Sequence, residues 1–337
     1  MAINERLIDT KAAGGAGAGG INYVYTKVGT TIYSYDVSDP STMVLGSSVN
    51  TTYGGNNLSI DSVNNLGYTV TGRTLNTLDL SDPTNLTTTS SLLPVAASMR
   101  ECRIDSTNSI LYAADGTYDG IRSIDVSNPA SPSQLQFLQN SNMDNAVGLA
   151  IDLVNNFAYL ACRNSDKLAS VDISNSSSMS YQTSSATTNL DSAYSVDIDI
   201  VNEVAYVTAQ TSDSLVSIDI SNPSTSLTIL DSVVDTFNFD NANCVKLDLT
   251  NEVAYVSSYK GITSVDISDP SNMSILDFYN GNGSYTLFFG VVVDSAAEII
   301  YVQDYYGDLI SLDVSDPSDM TVISTLATGN SDVILLV

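Results

Sequence analysis

The chain has 337 residues, with 11 Lys and Arg against 38 Asp and Glu, a formal charge of −27, no His and no Trp. Without imidazole there is no Ser-His-Asp or Cys-His arrangement and no histidine metal ligand. A polyanion of this size is repelled by phosphate backbones and anionic lipid headgroups, and no run of 18 apolar residues exists, so neither nucleic-acid binding nor membrane insertion is expected.

The acids divide into 33 Asp and 5 Glu. Asp favours turns and caps, Glu favours helix interiors, and the chain is also rich in Ser, Thr, Asn, Val and Ile, which predicts an all-β protein with many turns. Cys102, Cys162 and Cys244 sit inside apolar strand-like runs. Buried free thiols are expected there rather than disulfides.

Taken in chain order, residues 1–20 belong to no repeat. Ile3, Leu7 and Ile8 make a small apolar stripe at near-helical spacing, flanked by Arg6 and Lys11, and a Gly/Ala tether follows. Glu5, Arg6, Asp9 and Lys11 interrupt any signal-peptide core, so production in a cytosol without export is expected. This opening resembles the start of structural and appendage proteins of tailed bacteriophages. The resemblance implies an anchoring arm, with Ile3, Arg6, Leu7, Ile8 and Lys11 as the partner-facing residues, other virion proteins as partners, and location on a virion after synthesis in the host cytoplasm.

Residues 21–337 repeat one unit seven times. Each copy carries an alternating run ending in Asp, one apolar residue, Ser, Asx and usually Pro, centred on Asp36, Asp79, Asp125, Asp172, Asp219, Asp266 and Asp313. The last four intervals are all 47 residues. A tyrosine run precedes each copy, at Tyr23, Tyr68, Tyr112, Tyr159, Tyr206, Tyr255 and Tyr301. A further run ending in Asp and a turn occurs six times, at Asp61, Asp105, Asp152, Asp199, Asp248 and Asp294.

Each unit therefore reads as four short strands, in the fifth 195–199, 204–208, 215–220 and 227–233. The Asp-x-x-Asn links fit tight hairpins closed by Asx bonds, and Ser-Asx-Pro fixes the last turn. Four strands per repeat of this length predict a propeller blade. The chain enters at a second strand, Ile21 to Thr26, and ends with a run, 331–337, that has the character of the missing first strand. Pairing of the two would complete the first blade and remove the exposed edges. The prediction is a closed seven-bladed β-propeller of four-stranded blades over 21–337.

At the phrase Ser264-Val265-Asp266-Ile267-Ser268-Asp269-Pro270-Ser271 the chain resembles the LVIVD-repeat family of β-propellers. That resemblance implies a non-enzymatic surface or interaction protein, often exported, with no catalytic residues to carry over.

In a propeller the first-to-second and third-to-fourth links share one face, and the second-to-third links share the other with the inter-blade links. The first set is uniform here, whereas the second varies, and variable loops on a rigid scaffold are where recognition is carried. Lys27, Arg73, Arg163, Lys167 and Lys260 are read onto second-to-third links, with Tyr259, Tyr305 and Tyr306. They form the candidate recognition face for a host surface protein or glycan, opposed to an acidic uniform face. On the inner strands, Asp197 and Lys246 of adjacent blades predict an ion pair. The Asp-x-x-Asn turns offer too few ligands each to require calcium, and neither a cofactor nor a metal is assigned.

The function expected is that of a non-catalytic virion structural protein, a capsid decoration or tail appendage. The alternative is a cell-surface adhesion or interaction protein of the same repeat family. A second alternative is a glycan-active enzyme using paired carboxylates such as Asp115 and Asp119, or Asp304 and Asp308.

Overall fold

A computed structural model of the chain describes residues 21–51, 57–92, 97–281, 287–327 and 333–336. They form seven four-stranded antiparallel sheets arranged as a ring of blades. Blade 1 combines Tyr23–Val28, Thr31–Asp36 and Val44–Asn50 with the C-terminal strand Val333–Leu336. Blades 2 to 7 follow in chain order, starting at Leu58, Met99, Ala146, Ala193, Cys244 and Phe288. In the fifth blade the strands run Ala193–Asp199, Val204–Ala209, Ser214–Asn222 and Ser226–Val234, one or two residues longer at most ends than the alternation predicts. The described residues contain a single short helical turn, Ser141–Met143.

The composite blade closes as expected. Tyr25 pairs with Leu336 and Val28 with Val333, so the first and last strands of the domain lie side by side. The apolar clusters straddle neighbouring blades rather than filling single ones: one joins Tyr112 and Ile121 of blade 3 to Leu149 and Val171 of blade 4, another joins Tyr206 and Leu215 of blade 5 to Val245 and Val265 of blade 6. A four-stranded blade buries little by itself, so burial between blades supplies the cooperative unit. All three cysteines are buried free thiols, as predicted.

The register corrects one assignment. In blades 2 to 7 the marker tyrosine pairs with the residue two before the repeat Asp, as in Tyr206 with Ser217 and Tyr301 with Ser311. In blade 1 the residue facing Ser34 is Tyr25, which is fully buried, while the predicted Tyr23 faces Asp36 and is only half-buried. Tyr23 and Tyr25 lie on the same face of one strand, so alternation alone does not separate them.

That facing serine is a structural device. Ser34, Ser123, Ser170, Ser217, Ser264 and Ser311 each donate from Oγ to a backbone carbonyl in the turn of the next blade, at 2.5–2.7 Å. The acceptors are the carbonyls of Pro83, Ser176, Pro223, Pro270, Pro317 and Pro40. The pairing of third and fourth strands slips by one residue directly after each of these serines. A slip of this kind, a β-bulge, frees a backbone N–H. In five blades the same Oγ accepts it, from Ser47, Gln136, Thr183, Asp231 and Asp277. One hydroxyl thus satisfies the bulge and ties the blade to its neighbour. Blade 2 has Thr77 here and its third and fourth strands pair without a slip.

Replacing Ser217 by Ala strands the Pro270 carbonyl and the Asp231 N–H in a half-buried seam, so a loss of about 1–3 kcal/mol is expected. Chemical denaturation of Ser217→Ala beside Thr77→Ala tests this, and equal losses in the two would refute the latch.

Candidate functional site

The uniform face is built from turns that satisfy themselves. Asp199 Oδ1 accepts the N–H groups of Val201 and Asn202 at 2.9 and 3.0 Å, and its Oδ2 accepts Asn202 Nδ2 at 2.7 Å. The same three bonds recur at Asp61, Asp105, Asp152 and Asp248. The carboxylate oxygens are therefore engaged by their own turns. Among the described residues no group of three or more Asp, Glu or Cys is arranged to hold a metal ion.

Serine hydrogen bonds favour the anionic form of four aspartates on this face. Hydrogen bonds from Ser81 and Ser127 hold the carboxyls of Asp79 and Asp125 below the usual range, and those from Ser41 and Ser318 do so for Asp39 and Asp316. Between blades 5 and 6 the face opens into a cleft of about 470 Å³ lined by Asp199, Glu203, Asp219 and Glu252 beside Leu230 and Ile267. A similar cleft of about 360 Å³ lies between blades 3 and 4. Recurrence at two junctions makes these clefts a consequence of the repeat.

Near the axis, Asp197 and Lys246 line one opening of about 350 Å³ with Val293 and Ser295. The Asp197 carboxylate also accepts the Leu247 N–H at 3.2 Å. Two blades away, Arg103 and Glu101 form a buried ion pair at 2.6 Å.

The opposite face carries the candidate recognition residues, and the structure sorts them. Lys27 is not on a link: it lies inside the strand Tyr23–Val28, 7% exposed, because the strand runs two residues further than its apolar run. Lys167 begins a strand and its Nζ bonds Asn142 Oδ1 at 3.2 Å. Arg73 is exposed on the blade 2 turn. Arg163, Tyr259 and Lys260 do come together over blades 4 to 6. The Arg163 guanidinium sits 5.7 Å from the ring centre of Tyr194, and burial, Tyr194 and the nearby Arg163 all act on the phenol of Tyr259, raised above its ordinary range chiefly by burial. Lys260 lies 2.9 Å from Asp240 and 5.1 Å from the Phe237 ring centre. In blade 7, Tyr305 and Tyr306 are 37% and 61% exposed and meet edge to face at 5.7 Å. The anchoring residues Ile3, Arg6, Leu7, Ile8 and Lys11 lie outside the described residues.

Three members of this face, Tyr194, Phe237 and Asp240, carry no repeat signal: Tyr194 is the second residue of the strand Ala193–Asp199, and Phe237 and Asp240 lie on the link between blades 5 and 6. In each paired-carboxylate candidate one member is buried and engaged by neighbouring groups. Asp115 is fully buried against Arg122, with Nε at 2.6 Å, and Asp119 holds the Asn145 N–H at 3.1 Å. Asp304 is buried and accepts the Asp308 N–H at 2.9 Å, and burial raises its carboxyl pKa.

Comparison with known proteins agrees with this architecture. The chain matches the LVIVD repeat over residues 22–51, 111–136, 149–187, 193–235, 249–281 and 299–328. The six matches fall on the six blades that carry the serine latch, and blade 2, with Thr77, carries none. Among solved structures, a protein from Lactobacillus plantarum superposes with a TM-score of 0.76 at 12% identity, covering 94% of this chain and 100% of that one. A periplasmic gluconolactonase from Pseudomonas aeruginosa superposes with a TM-score of 0.71 at 10% identity, covering 94% and 99%. A hypothetical selenium-binding protein from Sulfolobus tokodaii does so with 0.74 at 10%, covering 95% and 93%. At such identities the likeness is one of fold. No curated protein matches the chain in sequence. The repeat match covers more than half of the chain and coincides with its latched blades, and the protein belongs to the LVIVD-repeat family.

Proposed function

We propose that this propeller is a non-catalytic recognition module that meets its partner with the second-to-third-link face and is carried on a larger assembly by residues 1–20. The observation that supports this most is the asymmetry of the two faces. One is a ring of self-satisfied acidic turns, while the other gathers Arg163, Tyr259, Lys260 and Phe237 across adjacent blades and adds the exposed Tyr306. Aromatic and arginine side chains are the usual anchors of binding surfaces. The assembly we favour is a tailed-phage virion, with a host surface protein or glycan as the object recognised.

Arg163→Gln, Lys260→Gln and Tyr306→Ala combined should lower binding to host cells at least tenfold, measured by retention of labelled protein, and unchanged retention would remove this face. A chain without residues 1–20 should fail to join particles, and normal incorporation would remove the arm. Release of reducing ends from host surface polysaccharide, or hydrolysis of a gluconolactone, would overturn the non-catalytic reading. Family membership favours a second reading, a cell-surface adhesion protein. Neighbouring capsid, portal or tail genes separate the two.

A further inference from the structure

The geometry points to Arg163 as the centre of a subsite for a single carboxylate borne on an otherwise uncharged glycan, an assignment that rests on the recognition face proposed above.

Three arginines with defined surroundings differ in one respect. Arg103 and Arg122 are each held by a carboxylate at 2.6 Å in the interior. On the recognition face, Lys260 has Asp240 at 2.9 Å. Arg163 has rings instead: its guanidinium lies over Tyr194 and beside Tyr259, and among the described residues no carboxylate lies within ion-pair distance of it. A guanidinium resting on an aromatic face is held flat, and its N–H edge remains free for a bidentate carboxylate. The turn that carries it is fixed at both ends, since the Arg163 N–H bonds the Asn145 carbonyl at 3.0 Å and Asn164 bonds the Asp144 carbonyl and side chain. The cation is therefore presented on a rigid support.

The surroundings narrow the ligand. Asp144, Asp166, Asp191 and Asp240 lie on the turns and links next to Arg163 and Tyr259. Each is within reach of an extended ligand, and together with the overall charge of −27 they repel a dense polyanion. One carboxylate on a neutral body meets Arg163 without meeting those acids. The half-buried ring of Tyr259 offers an apolar surface beside the cation, the combination by which a pyranose ring and its carboxylate are held together.

The test uses the full chain with 3′-sialyllactose, lactose, polygalacturonate and a neutral peptide with a free C-terminal carboxylate, read by saturation-transfer NMR and titration. Sialyllactose should bind at least tenfold more tightly than lactose. Arg163→Gln should abolish that preference, and Arg163→Lys should weaken it several-fold, because an ammonium lacks the planar fork. Polygalacturonate should bind no better per carboxylate than sialyllactose. Equal binding of sialyllactose and lactose, no binding of either, a preference that survives Arg163→Gln, or Arg163-dependent binding of the peptide alone would overturn the assignment. If Arg163→Gln leaves host-cell retention intact while Lys260→Gln with Tyr306→Ala abolishes it, the subsite is wrong and the recognition face stands.

Discussion

Asp115→Ala should lower the unfolding free energy by about 3–5 kcal/mol, the range expected when one partner of a buried ion pair is removed. Arg122 is 2% exposed, the largest fully buried side chain among the described residues. Its Nε lies 2.6 Å from Asp115, its NH1 2.6 Å from Gln134 Oε1, and its guanidinium 4.0 Å from the Phe137 ring centre. Asp115 also accepts the N–H groups of Ser98 and Tyr118. Truncating it takes the carboxylate away from a buried cation that cannot lose its proton, and strands two backbone donors as well. Arg122→Met should cost less, because Asp115 keeps its backbone donors and a carboxylate can take up a proton. The double variant should cost less than the sum of the two singles. Urea unfolding of the three chains decides the matter: a loss below 1 kcal/mol for Asp115→Ala, or strict additivity, would show that the pair is not coupled. Blade 7 provides an internal comparison. Asp304 occupies the register position of Asp115, but Ile310 stands where Arg122 would be. Without a cation the buried Asp304 carboxyl is pushed upward in pKa.

The blade count, the composite first blade and the turn chemistry were legible because Asp, Asn, Ser and Pro act over two to five residues, which a repeat displays directly. The aspartates of the Asp-x-x-Asn links do close Asx turns, and the terminal run does pair beside the first strand. What was missed depends on register or on contacts between blades. Tyr23 and Tyr25 point the same way, and only the pairing with Ser34 picks Tyr25. The latch serines stand two places before six of the seven repeat Asp, but serine is common throughout the chain, and its role appears only with the bulge and the neighbouring turn. Lys27 falls beyond the apolar run that marks the strand in the sequence, whereas the strand extends through Val28. Arg163, Tyr194 and Tyr259 lie far apart in sequence and meet only because three blades stand side by side.

A chain ending at residue 332 should be less stable by about 4 kcal/mol or more, with the damage confined to the seam between blades 7 and 1. The strand Val333–Leu336 pairs with Tyr25–Val28, so its removal takes away a four-residue antiparallel ladder worth about 1 kcal/mol per bond. It also uncovers strand Tyr23–Val28 as an edge and exposes the neighbouring inner strand Phe288–Asp294 of blade 7. The seam has other ties. Ser311 Oγ donates to the Pro40 carbonyl at 2.7 Å, the Tyr301 hydroxyl to the Val37 carbonyl at 3.3 Å, and the Ile21 N–H to Asp294. These ties hold the shortened chain in a ring, so the expected result is a folded protein whose amides in blades 1 and 7 exchange fastest. Adding Ser311→Ala should then cost more in the shortened chain than in the full one, because the latch and the terminal strand secure the same junction. Uniform exchange across all blades, or a Ser311→Ala penalty that is the same in both chains, would mean that closure rests on inter-blade packing alone and that the terminal strand only covers an edge.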